Sequence, residues 1–141
     1  MDPRLTFVTL AVNDLAASRR FYVDGLGWPP ELDDPDEVIM IRVGQRLLLS
    51  LWDRRAFAAE IGAEAAEGVP PVTLAHNVAT AADVDRVLEE VRGAGASMVD
   101  PGRPRDWGGY SGYFADPDGF RWEVASSPGP IGQSVLPPDS G

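Results

Sequence analysis

Cysteine is absent from the 141 residues, so disulfides, thiolate metal sites and a cysteine nucleophile are excluded. Histidine occurs once, as His76, and a site needing two or more histidine ligands cannot be built within one chain. Basic residues are scarce, 12 against 22 acidic, for a formal net charge of −10. Such a chain repels phosphate backbones, and no nucleic-acid partner is expected. No apolar run approaches the roughly 20 residues that span a bilayer. The opening Met1-Asp2-Pro3-Arg4 lacks the basic and apolar regions of a signal peptide. No membrane partner is expected, and a cytoplasmic protein is the default. Phosphate loops, nucleophile elbows and HExxH motifs are missing as well.

What is present is a hydrophobic fraction of 44% distributed in a repeating order. Leu5 to Val12 is apolar and β-branched, which predicts a strand. Asn13-Asp14 offers an N-cap for a helix from about Leu15 to Asp24, and Gly25 and Gly27 bracket its end. Three strands follow at Trp28–Leu32, Glu37–Val43 and Arg46–Trp52, separated by Asp33-Asp34-Pro35-Asp36 and Gly44-Gln45 turns. An alanine-rich helix is expected over Asp53–Glu67. The order then recurs. Val72–Val78 reads as a strand, and Thr80 caps a helix to about Arg92. In that helix Val84, Val87, Leu88 and Val91 share one face. Ser97–Asp100 is a short strand, Pro101–Trp107 a loop, and Tyr110–Ala115 with Phe120–Ala125 a hairpin. Asp116-Pro117-Asp118-Gly119 supplies the turn.

The repeat carries more information than any single motif. Each sheet has one face for its helix and a second face that needs burial. Two such curved sheets facing each other would enclose a cleft, the usual place for a small-molecule site. The expected fold is α+β, with two βαβββ modules forming curved mixed sheets around a shared cleft. The expected divisions are a first module at 1–52, a helical linker at 53–71, a second module at 72–126 and a flexible tail at 127–141.

Three segments carry a resemblance to a known family. They are Val12-Asn13-Asp14-Leu15 through Gly25-Leu26-Gly27, Ala75-His76-Asn77-Val78 through Gly93-Ala94-Gly95-Ala96, and Trp107 through Glu123 (WGGYSGYFADPDGFRWE). Together they resemble the vicinal oxygen chelate superfamily, the glyoxalase/bleomycin resistance/dioxygenase group. The resemblance implies the paired-module fold, a tendency to dimerise and, in the metal enzymes of the group, a divalent ion held by His, Glu or Gln. Carried over, those ligand positions fall on Phe7, Leu49, Thr73 and Glu123. Only Glu123 is a strong donor, so no metal and no cofactor are expected.

The ligand-contacting residues expected from this reading are Phe7, Thr9, Leu49, Trp52, Thr73, Trp107, Tyr110 and Glu123. Trp52, Trp107, Tyr110, Tyr113, Phe114 and Trp122 form the aromatic set from which three of these come. Glu123 either contacts a ligand directly or pairs with an arginine such as Arg42 or Arg121. His76 shares a strand face with Leu74 and Val78, which places it against the helix as a structural residue; a general base is the alternative. No residue can be assigned a catalytic role. The expected partner is a small molecule, for which a cation is one candidate given the acidic surface, together with a second copy in a homodimer. The sequence favours a metal-free binding protein over a lyase, isomerase or dioxygenase working from a non-standard site.

Overall fold

The structure, a computed structural model, describes residues 1–138. The chain divides into two compact units, Met1–Gly68 and one from Val69 onward. Each holds one four-stranded mixed sheet, and the expected βαβββ order is present in both.

In the first unit, β1 (Phe7–Val12) leads into α1 (Leu15–Ser18). Asp14 caps this helix, its Oδ1 accepting from the N–H groups of Ala16 and Ala17 at 2.9 and 3.3 Å. The winding then widens into a π-helical segment, Arg19–Gly25, in which the Leu26 N–H donates to the Phe21 carbonyl at 2.9 Å. The wider turn seats two consecutive aromatics, Phe21 and Tyr22, in the core at 2% and 0% exposure. Their rings meet edge to face with centroids 4.9 Å apart.

β2 (Pro30–Asp34), β3 (Val38–Gly44) and β4 (Leu47–Asp53) complete the sheet in the order β1-β4-β3-β2. β1 and β4 are parallel, and the other neighbours are antiparallel. Leu10, Val12, Ile39, Ile41, Leu49 and Leu51 are all buried. Strand alternation and the pairing register put them on one face, where the core with Leu15, Phe21 and Tyr22 forms. α2 (Arg54–Ile61) is capped by Asp53 and ends at Gly62 with φ 74°. It is shorter than the expected Asp53–Glu67 because that left-handed glycine stops it.

The second unit repeats the order more regularly. β5 (Thr73–Asn77) is followed by α3 (Ala81–Ala94), capped by Thr80 and closed by Gly95 at φ 99°. β6 (Met98–Pro104), β7 (Tyr110–Ala115) and β8 (Arg121–Ser126) form a sheet of order β5-β8-β7-β6. Val84, Leu88 and Val91 of α3 are buried. Gly112 of β7 lies directly under α3, since a Cβ there would come 2.5 Å from Leu88 Cδ1 and 2.7 Å from the Asp100 carbonyl. Phe114 and Trp122 stack in register at 5.9 Å and 5° on this same face.

β6 runs past the expected end at Asp100. The ladder tolerates Pro101-Gly102 by a bulge between Asp100 and Arg103, one extra residue on one strand. Within the segment read as a tail, Pro130–Ser134 forms a short helix, α4, with proline in its first turn; residues 139–141 of that segment lie outside those described. No helix among the described residues is long and apolar enough to cross a membrane.

Candidate functional site

The two sheets present different chemistry on the face not used by α1 or α3. In the first unit the register sets Phe7 beside Leu48, Thr9 beside Ser50 and Ala11 beside Trp52. Three of the expected contact residues, Phe7, Thr9 and Trp52, therefore share a face. Leu49 does not. It pairs with Val8 and Ile41 and is 2% exposed in the core. The β4 residues that share the face of Phe7 and Thr9 are Leu48 and Ser50, one residue to either side. Trp52 packs edge-on against Phe57 of α2, with centroids 6.1 Å apart.

In the second unit the face away from α3 carries Thr73, Ala75 and Asn77 of β5, Arg121, Glu123 and Ala125 of β8, and Ser111, Tyr113 and Ala115 of β7. Thr73 and Glu123 are thus brought to one side, as expected. Tyr110 is not. Its hydroxyl donates to Asp85 of α3 at 2.9 Å, which holds it on the helix-covered face and raises its pKa. Trp107 sits in the turn closed by Arg105 N–H to the Gly109 carbonyl at 2.8 Å. Its ring lies over Gly109 and stays 54% exposed.

Around Glu123 a polar network converges that the expected site residues did not include. Glu123 stands opposite Tyr113 in the β7–β8 ladder, its carboxylate near enough to act on the phenol hydroxyl. Partial burial, then the Glu123 charge, raise the Tyr113 pKa and keep the phenol protonated. The Arg105 guanidinium lies 5.6 Å from the centre of the Tyr113 ring, a cation–π distance. Arg105 is in turn fixed by Ser111, donating from Nε to Oγ at 2.9 Å and from Nη2 to the carbonyl at 3.0 Å. The β6 bulge brings Asp100 and Arg103 to this same face, where they form an ion pair. A recess of about 400 Å³ opens beside the network, lined by Thr73, Met98, Val99, Asp100, Tyr113 and Arg121.

Tyr113 and Arg121 were missed by one residue of register. Counting outward from a four-residue Asp116–Gly119 turn pairs Ala115 with Phe120, whereas the strands pair Ala115 with Arg121 and Tyr113 with Glu123, and a one-residue shift changes which side chains share a face. Arg105 and Ser111 carry no comparable signal, because a loop arginine's destination is set by tertiary packing.

The proposed pairing of Glu123 with Arg42 is replaced by other partners. Arg42 makes a two-pronged pair with Glu31, at 2.5 and 2.9 Å, which lowers the Glu31 pKa. His76 pairs with Val124 in the register and so faces the α3 side, away from Glu123. Desolvation of its ring lowers its pKa, with Glu90 and Arg86 of α3 acting in opposite senses.

The alignment of the fold with solved proteins is close. A glyoxalase-related enzyme from Fulvimarina pelagi is 33% identical, with 89% of each chain covered and a TM-score of 0.82. A glyoxalase/bleomycin resistance protein/dioxygenase from Nocardioides is 26% identical over 92% of this chain and 89% of that one, at a TM-score of 0.75. Lactoylglutathione lyase from Agrobacterium tumefaciens, 24% identical over 89% of this chain and 95% of its own, shares the fold at a TM-score of 0.71. Residues 4–124 match the Glyoxalase/Bleomycin resistance protein/Dioxygenase superfamily. The chain belongs to that superfamily. A search of curated proteins returns no match.

Against the divalent ion that metal enzymes of this superfamily hold, the side chains here do not fit. Phe7 and Leu48 are hydrocarbon, Ser50 and Thr73 are weak neutral donors, and Ala75 stands beside Glu123. No three His, Asp or Glu side chains group to hold an ion among the described residues. One carboxylate lacks the companions that a transition metal needs.

Proposed function

We propose that this glyoxalase-superfamily chain binds a small organic molecule on the helix-free face of its second sheet, without a divalent ion at the superfamily's ligand positions. The observation that carries the reading is the Glu123–Tyr113–Arg105–Ser111 network beside a recess of about 400 Å³. That volume falls within the range that accommodates small organic ligands. Arg105 and Ser111 hold Tyr113 in place, and Tyr113 faces the Glu123 carboxylate, which has acceptor capacity for a ligand donor. The hydroxyl, carboxylate and guanidinium groups of this face and the apolar wall of the recess support recognition by hydrogen bonds and apolar contact.

The test is a fragment screen on isotope-labelled protein in chelator-containing buffer, read by amide shifts. The expected result is hits that shift residues of β5, β7 and β8 around the recess. Hits confined to other surfaces, or binding that appears only when Mn, Ni or Zn is added, would overturn it. A second reading, a lyase, isomerase or dioxygenase, draws support from the relative described as a glyoxalase-related enzyme. Calorimetric titration with divalent metals separates the two, since that reading expects a stoichiometric tight site.

A further inference from the structure

Three arginines and two carboxylates gather on the helix-free side of the second sheet, in a chain whose formal net charge is −10. Four of these five charges are already engaged. Arg103 pairs with Asp100, Arg105 is held by Ser111 and Tyr113, and Glu123 faces the Tyr113 phenol across the ladder. Arg121 is different. Its guanidinium donates to the Gly119 carbonyl at 3.1 Å and has no ion-pair partner among the described residues. It also lines the recess, beside Thr73, its neighbour across the parallel β5–β8 pair. Met98 and the Tyr113 ring supply the apolar part of the same wall.

We infer that the ligand is a small organic acid, with its carboxylate on Arg121 and Thr73 and its apolar body against Met98 and Tyr113. A guanidinium presents a planar fork of donors that matches a carboxylate, and the Thr73 hydroxyl adds one more donor. Asp100 also lines the recess, but Arg103 neutralises it. The local cationic excess thus reverses the sign that the overall acidity suggests for the ligand. The inference rests on the binding reading above and adds the ligand's chemical class.

Three probes of one shape decide it: naphthoate, naphthamide and naphthylmethylamine, titrated against labelled protein and read by amide shifts. The expected order is naphthoate tightest, by about tenfold over naphthamide, with the amine weakest. Arg121→Gln brings naphthoate down to the naphthamide level and leaves naphthamide unchanged. Thr73→Val weakens naphthoate a few-fold, and added salt weakens naphthoate alone, so the inference stays testable if the arginine variant folds poorly. Equal binding of naphthoate and naphthamide to this face would overturn the organic-acid inference and leave the binding reading standing. Failure of all three to shift any residue of β5–β8 would overturn both.

Discussion

In the first unit the sheet face away from α1 presents Phe7, Thr9, Leu48, Ser50 and Trp52. The topologically matching face of the second presents Thr73, Ser111, Tyr113, Arg121 and Glu123. The strand orders are the same, yet the first surface sets one charged side chain of β3, Arg42, among mostly apolar neighbours, while the second carries several charged groups. Their helices differ too. The first unit buries Phe21 and Tyr22 on a π-helical segment, whereas the second uses a regular 14-residue α3 on an aliphatic stripe. A duplicated topology therefore constrains which side of each sheet is core and leaves the other side free to diverge. Here the polar chemistry has concentrated in the second copy.

This comparison can be broken at several points, the largest effect coming from the core assignment. Leu51→Ala should cost about 2–5 kcal/mol in denaturant unfolding, as a large-to-small change in a packed core, because Leu51 is fully buried. Leu48→Ala, on the other face of the same strand, should cost well under half as much; equal losses would refute the face assignment. Gly112→Ala should destabilise by about 1–3 kcal/mol through overpacking under α3, given the 2.5 Å approach to Leu88.

On the polar face, Tyr113→Phe should weaken any fragment bound beside Glu123 about threefold to tenfold, while Trp52→Phe in the first unit should leave that affinity unchanged. The Tyr113 phenol itself should ionise above the ordinary tyrosine value of 10.0. Its raised folded pKa means that this contribution to stability is present below about pH 10 and lost as pH rises through the folded value; ultraviolet tyrosinate absorption follows it. The smallest expected effect is at His76. Its folded pKa lies below 6.5, so the unfolded chain binds more protons and stability falls as pH drops from about 6.5. His76→Gln should flatten that slope, and an unchanged pH profile would show that the ring is not desolvated as described.

The order of elements was readable because it rests on local physics. Asp14 and Thr80 cap helices where their side chains can meet free N–H groups, and alternation marked β1 and β5. The site was harder because it depends on how strands align. Leu49 stands one residue from either position facing Phe7 and Thr9, and a shift of one residue turns a side chain from one face to the other. Tyr110 was misplaced for a different reason: its hydroxyl finds Asp85, 25 residues away in sequence. Pro101 suggested the end of a strand, and a bulge carried the strand past it to Pro104.

That bulge has a counterpart, since β2 carries an irregularity between Pro30 and Leu32. β2 and β6 are both edge strands, each at the end of its sheet. A proline has no N–H to offer, and a bulge breaks the even spacing of the remaining donors and acceptors. The kinks that aim Asp100 and Arg103 to one side therefore also deny an incoming strand a continuous template. At these two margins the fold is fenced against growth by edge-to-edge stacking.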